Sequence, residues 1–358
     1  MDSFQKESVY EIRPYQFWND PEGVGYFERT SILTVDENGV LSYGDQNVRR
    51  LNEHLVKTGI RTENERISTT QPVNIVKYEA SIFEVLVALS HRLGKLEKLS
   101  EVVDNSRMVA ARGAMADLGA RKHNPTTPLK LLFGVYKGIV FMVSENKDRP
   151  RDNTGFINEC ALTVPSVNAP NFLTHPAPWH ESYVQGKLEL GLDKPKKVTV
   201  FINGQLDCLD SEGRQVELKL KKYGLDNSYL PHTDSSRWFL QQVLVGTEWI
   251  VVSEHSKDSS WINSVSAIHI EQLENGLYGS PGNRMKNVPH WNRKELIAHM
   301  KFFLNGMKHR MLNDVRFKDK IVVVEKVAED TRFFITKVLS DRSAMFPPHF
   351  TDHFDRVG

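Results

Sequence analysis

In the stretch GQLDCLDSEGRQVELKLK, residues 204–221, Gln205, Asp207, Glu217 and Lys219 alternate with positions that are nearly all apolar. Such alternation suits strands with one wet and one dry face. Ser211-Glu212-Gly213 fits a three-residue hairpin loop in which a type I turn closes on a left-handed glycine. Counting outward from Asp210 and Arg214 sets Cys208 against Val216, Asp207 against Glu217, Leu206 against Leu218 and Gln205 against Lys219. Directly opposed residues share a face, so Leu206, Cys208, Val216 and Leu218 form the dry side. On the other side two carboxylates stand about 5 Å apart, which is unfavourable unless a cation lies between them. A hard divalent ion, Mg²⁺ or Mn²⁺, suits those donors, with the main-chain carbonyl of Leu218 within reach. A lysine two residues past the glutamate can orient a water nucleophile or hold a phosphate oxygen. The alternative is a solvent-facing hairpin, because a freely spaced Asp…Glu-x-Lys grouping arises by chance about once in a chain of this size.

Other metal chemistries fit the composition less well. Two cysteines, Cys160 and Cys208, exclude a disulfide framework or a four-cysteine zinc site within one chain. The 13 histidines show no HExxH spacing, which leaves carboxylates as the ligands of choice. A formal net charge of +1 does not announce a nucleic-acid partner, although Lys194, Lys196 and Lys197, then Lys219, Lys221 and Lys222, form local clusters. No signal peptide or transmembrane run is present, so a soluble intracellular protein with no membrane partner is expected.

These residues must be positioned by the rest of the chain. SILTVDENGVLSYG reads as two strands joined through Asn38-Gly39, and ASIFEVLVALSHRLGKLEKL as one amphipathic helix with Gly94 near its end. LKLLFGVYKGIVFMVSE is a strand pair turning at Tyr136, Lys137 and Gly138, followed by the polar loop ENKDRPRDN. A short helix opening near Asn153, the strands of the hairpin and a helix from about Ser236 make up the middle. A long helix then places Leu296, Met300, Phe303, Leu304 and Met307 on one face. Trp238, Trp249 and Cys208 lie in apolar runs and read as core. Strands and helices interleave without strict alternation, which predicts a mixed sheet. The length of 358 residues permits two domains, but no linker divides the chain. The expected architecture is one large α/β (α+β mixed) domain over 1–358, folded across about 14–345, with 346–358 as a tail.

The Asp…Glu-x-Lys grouping resembles the active-site pattern of the PD-(D/E)XK nuclease superfamily, and four further motifs narrow the resemblance. Ala111-Arg112-Gly113 is similar to an arginine-glycine pair that precedes an apolar segment. GFINE, Gly155 to Glu159, is similar to a glycine-hydrophobic-x-hydrophobic-glutamate motif, with Asn158 at the second hydrophobic place. QLDC at Gln205 to Cys208 and ELK at Glu217 to Lys219 follow, and then RWFLQQVLVG, which looks like a tryptophan-containing helix bearing a functional glutamine at Gln241. In this order the motifs resemble the DXO family of noncanonical decapping nucleases, eukaryotic enzymes that remove defective or non-nucleotide caps from RNA 5′ ends. The similarity runs from about Pro14 to Leu312.

The resemblance implies two twisted mixed sheets flanked by helices, with a cleft between them. It implies Glu159, Asp207, Glu217 and the carbonyl of Leu218 as ligands of one or two Mg²⁺ or Mn²⁺ ions, with Lys219 and Gln241 beside the scissile phosphate. Arg112, flanked by Ala111 and Gly113, would contact RNA phosphates, with a buried ion pair as the alternative. The implied activity is hydrolysis at RNA 5′ ends carrying an incomplete cap, a triphosphate or an NAD cap, to leave 5′-monophosphate RNA, with 5′–3′ degradation to follow. A monomer, a nuclear or cytoplasmic address and a 5′–3′ exoribonuclease partner belong to the same expectation. One position departs: Gln205 stands where the family has a glutamate. An alternative is therefore a catalytically weakened protein that binds RNA 5′ ends, and a further one is a DNA nuclease of the wider superfamily.

Overall fold

The computed structural model describes residues 7–11, 26–36, 38–59, 67–68, 79–92, 94, 96–124, 127–145, 153–164, 181–191, 197–226, 229–232, 234–256, 261–280, 291–328 and 330–358. Most of the polar loop after Glu145, with Pro150, and Lys194 and Lys196 lie outside these residues.

Alternating apolar residues build two mixed sheets. The larger has ten strands in the spatial order Glu7–Glu11, Arg332–Leu339, Ile321–Lys326, Leu129–Tyr136, Ile139–Ser144, Met108–Ala111, Val198–Leu206, Glu181–Leu190, Tyr26–Val35 and Leu41–Tyr43. Its centre is parallel, since Met108–Ala111 runs parallel to both Ile139–Ser144 and Val198–Leu206. The second sheet has seven strands in the order Ile67–Ser68, Trp261–His269, Trp249–His255, Gln215–Lys222, Cys208–Leu209, Arg50–Leu51 and Thr163–Val164.

Strand parity decides which helix covers which face. Val198, Val200 and Ile202 join a core with the helices Arg112–Ala120, Ser235–Val243 and Arg293–Asn313, where Trp238 is buried. Phe201 and Val109, at the intervening positions, join the opposite core beneath the helix Ile82–Leu89. In the smaller sheet Cys208, Val216, Leu218 and Val251 pack on Ala161 and Leu162 of the helix Asn153–Leu162, with Trp249 half-buried against them.

Local signals explain several junctions. Asp36 Oδ1 accepts from the backbone N–H groups of Asn38 and Val40, which closes the first hairpin. Lys137 and Gly138 both take positive φ, 48° and 73°, the two-residue turn that matches strand twist. Two expectations need correcting. The segment read as one helix after Ala80 ends at Leu89, and a separate turn spans Leu99–Val102, with Gly94 left-handed between them. Residues 346–358, read as a tail, include the helix Pro348–Val357, whose Phe350 and Phe354 are buried in the core together with Phe346. Proline at N1 starts a helix well, and aromatics spaced by four residues supply its buried stripe.

Candidate active site

The hairpin closes as its composition predicts. Gly213 has φ 78°, Asp210 pairs with Arg214 through a 2.9 Å backbone bond, and Cys208 and Leu209 oppose Val216 and Gln215. Beyond Cys208 the expected register fails. Leu206 opposes Ser182 and Gln205 opposes Tyr183, both in the larger sheet. The chain crosses from one sheet to the other at Asp207, so neither the Leu206–Leu218 nor the Gln205–Lys219 pairing forms. Period-two alternation runs unbroken through both strands, which is why it does not mark the crossing.

The crossing brings four charges together. Asp207 Oδ2 accepts a 2.7 Å bond from Leu218 N. Glu217, only 3% exposed, accepts from Lys219 Nζ at 2.6 Å through one oxygen and from Arg112 Nη1 at 2.5 Å through the other. Lys219 reaches it because residues two apart on a strand share a face. Arg112 reaches it from the larger sheet, where it opens its helix directly after Ala111 at the carboxyl end of the parallel strands, the edge at which open α/β sheets bind ligands. Gly204 makes room, since a Cβ there would lie 3.0 Å from Arg112 Cδ and from Val245 Cγ1. A Cβ on Gly113 would meet open space, so that glycine is not a packing requirement.

The two carboxylates divide in character. Burial would raise Glu217, but Arg112 and Lys219 outweigh it and hold the group well below the usual carboxylate range. Burial and the charge of Glu217 push Asp207 well above that range, with Lys219 and Arg112 pulling against them. Glu217 therefore stays ionised, and Asp207 is the carboxylate whose charge lacks compensation.

Of the other expected site residues, Gln241 is buried on its helix, and its side-chain carbonyl oxygen has no hydrogen-bond partner among the described residues. Asn158 is likewise buried with an unpartnered Oδ1. Glu159 sits next to it on a helix packed against the Glu217 strand. It does not join the other two carboxylates: among the described residues no three Asp, Glu, His or Cys side chains form a group able to hold a metal ion. Arg112, expected against RNA phosphates with a buried ion pair as the alternative, is in a buried ion pair with Glu217.

Sequence patterns missed Arg49. It is 2% exposed and donates from Nε to Thr163 Oγ1 at 2.6 Å and from Nη2 to Thr163 O at 3.3 Å. Burial pushes its pKa down to about 10, against the neighbouring Cys160, Cys208, Glu159 and Glu181. It belongs to no motif, and no local pattern in the sequence marks it.

Two mixed sheets meet at a buried pair of carboxylates in a mixed α/β fold, and solved structures share that fold. No family model matches the chain. The decapping nuclease dom-3 of Caenorhabditis elegans is 23% identical over 195 residues, 49% of each chain, so the match spans about half the length of that relative. Crystal structures of S. pombe Rai1 in complex with 3′-FADP and of K. lactis Dxo1 in complex with manganese share the fold. Rai1 is 14% identical with a TM-score of 0.65, covering 92% of this chain and 98% of that one. Dxo1 is 15% identical with a TM-score of 0.63, covering 94% and 98%. The chain shares the fold of Rai1 and Dxo1 and over about half its length is similar in sequence to a decapping nuclease. No helix among the described residues is long and apolar enough to cross a membrane.

Proposed function

We propose that the protein is a metal-dependent hydrolase of RNA 5′ ends, acting on an incomplete cap, a 5′-triphosphate or an NAD cap to leave 5′-monophosphate RNA. The observation that carries this reading is the buried Asp207–Glu217 pair between Arg112 and Lys219, where the two sheets meet. A relative named as a decapping nuclease and a manganese-bound Dxo1 support it.

Asp207 and Glu217 offer two carboxylates to a hard divalent cation, and no third acidic, histidine or cysteine side chain among the described residues completes the group. Asp207 carries a charge that the surrounding protein leaves uncompensated, and oxygen donors are what Mg²⁺ and Mn²⁺ select. Asp207, Glu217 and the main-chain carbonyl of Leu218 would hold the ion, with Glu159 as a further ligand. When bound, the ion supplies Lewis-acid polarisation of the phosphate and a lowered pKa of water.

The protein groups act around that centre. Lys219 holds Glu217 in place and offers an ammonium to a phosphate oxygen as negative charge builds up on it. Arg112 spends one donor on Glu217, and its guanidinium has others for an RNA phosphate. Gln241 presents an unpartnered acceptor, suited to a sugar hydroxyl or to a water proton. We further propose that the protein acts as a nuclear monomer beside a 5′–3′ exoribonuclease.

A second reading has one observation in its favour. Gln205 replaces a family glutamate and Glu159 stands apart from the carboxylate pair, as in a protein that binds RNA 5′ ends without cutting. End-labelled RNAs bearing a triphosphate, an unmethylated cap, an NAD cap or a monophosphate, incubated with Mg²⁺ or Mn²⁺, separate the two. Cleavage that is lost in both Glu217→Ala and Glu217→Gln establishes the hydrolase. Binding without cleavage, insensitive to either substitution, establishes the binding protein.

A further inference from the structure

We propose that Tyr223 is a stacking platform for the body of a single-stranded RNA, a base-binding position outside the charged cluster but continuous with it. The strand that carries Glu217 and Lys219 leads directly to Tyr223, about 13 Å beyond Lys219. The inference rests on the RNA 5′-end reading and on no metal ion.

Tyr223 follows the strand Gln215–Lys222, is 46% exposed and has φ 63°. A bulky side chain on a left-handed backbone is a true outlier, whereas glycine or asparagine takes that conformation at less cost. The turn requires glycine only at the next residue, where φ is 50° and a Cβ would lie 3.1 Å from Glu254 Cβ. Packing does not account for the tyrosine, since it joins none of the buried apolar clusters among the described residues. Lys222 Nζ lies 5.5 Å from the ring centre, a contact that is weak at an exposed site. Backbone strain kept at an exposed aromatic points to a ligand contact.

The neighbouring groups indicate which ligand. Lys219 and Lys221 share a face of the strand, but each is already in an ion pair, with Glu217 and with Asp234. Glu254 stands opposite Lys221 on the next strand. Charge is therefore nearly balanced here, which favours a ligand held by stacking over a bare anion. Trp261, 43% exposed, supplies a second ring at the same end of the sheet, where Lys222 opposes His255 and His255 opposes Ile262. Unstacked bases of single-stranded RNA seat on such rings with little regard to sequence.

The test uses the full chain in EDTA, so that no divalent ion takes part. Binding of 3′-labelled, 5′-phosphorylated octauridylate is followed by fluorescence anisotropy, with unlabelled uridine 5′-monophosphate as competitor. Tyr223→Ala is expected to weaken octanucleotide binding roughly 5- to 100-fold. It should leave the competitor's affinity unchanged, because a mononucleotide held at Lys219 does not reach Tyr223. Tyr223→Trp should keep the affinity, and the salt dependence of Tyr223→Ala should run parallel to that of the wild type, since no phosphate contact is removed. Tyr223→Asn, which relieves the backbone, should lose affinity while melting no lower than the wild type. Unchanged octanucleotide affinity in Tyr223→Ala overturns the inference and leaves this face to a protein partner. An equal loss for the mononucleotide, or a melting temperature of Tyr223→Asn well below the wild type, overturns it as well. Failure of the wild-type chain to bind the octanucleotide is a different result, which removes the RNA reading together with the inference.

Discussion

Two buried regions of this molecule are built on opposite principles. Beneath the C-terminal helix, Phe350 packs against Phe83 at 5.0 Å and Phe141 against Phe346 at 5.3 Å, ring centre to ring centre. Polar groups there stay at the rim and are paired: Tyr136 donates to Asp355 at 2.7 Å, and Lys137 to the Phe354 carbonyl at 2.6 Å. At the crossing between the sheets, Asp207, Glu217, Arg112 and Lys219 crowd into the interior, and one carboxylate lacks compensation. Aromatic burial stabilises without any ligand, whereas a charged cluster becomes favourable only when its last charge is matched. The difference separates stability from chemistry in space, so each can be disturbed while the other is watched.

Asp207→Asn should give the largest effect. The amide keeps an oxygen for the Leu218 N–H but loses the charge, and cleavage is expected to fall roughly 10³- to 10⁴-fold. Stability should move the other way. A carboxyl whose folded pKa is raised favours folding while protonated, and that contribution is lost as pH rises from the ordinary aspartate range toward neutrality. Metal-free Asp207→Asn is thus expected to be more stable than the wild type near pH 7, by about 1–2 kcal/mol, with the gap closing at acidic pH. Denaturant melts at pH 4 and pH 7 measure this, and a variant that is less stable at pH 7 would show that Asp207 is already compensated.

Phe350→Ala probes the other region. Removing a fully buried ring is expected to cost about 3–5 kcal/mol of folding stability. Cleavage per folded molecule should remain within about twofold, because the helix touches none of the four charges. Melts and rates at a temperature where the variant is folded decide it, and a large loss of rate would mean that the two regions are coupled.

The same contrast explains what could be read from the sequence. The Gly213 hairpin, the Lys137-Gly138 turn and the long helix with Leu296 and Met300 rest on short-range rules of turn chemistry and periodicity, and all three formed. Asp207, Glu217 and Lys219 were legible as a group for that reason. The crossing at Asp207 was not, because a change of sheet leaves the alternation intact. The C-terminal helix was obscured by Pro347-Pro348, although Phe346, Phe350 and Phe354 at four-residue spacing carried its signal. Arg49 and the ion pair of Arg112 depend on contacts more than 100 residues away in sequence, which no local pattern encodes.

Gln205→Glu sharpens the comparison with the smallest expected effect. Gln205 lies two residues before Asp207 but opposes Tyr183 in the larger sheet, on the far side of the crossing from Glu217. A carboxylate there adds charge along the strand that leads into the cluster, and it is the residue type carried at this position by the family the motifs resemble. Mn²⁺ affinity is expected to rise by up to about tenfold, some 1.4 kcal/mol, with a parallel gain in any cleavage. Metal-free stability should fall slightly, since another carboxylate joins a region where burial and Glu217 already disfavour the charge of Asp207. The two changes must occur together if the residue borders the ion. A gain in affinity with no loss of metal-free stability would mean that the new charge is solvated and acts at long range. Unchanged affinity would place Gln205 outside the coordination shell and assign the tuning of this site to Arg112 and Lys219, the two cations that already bind Glu217.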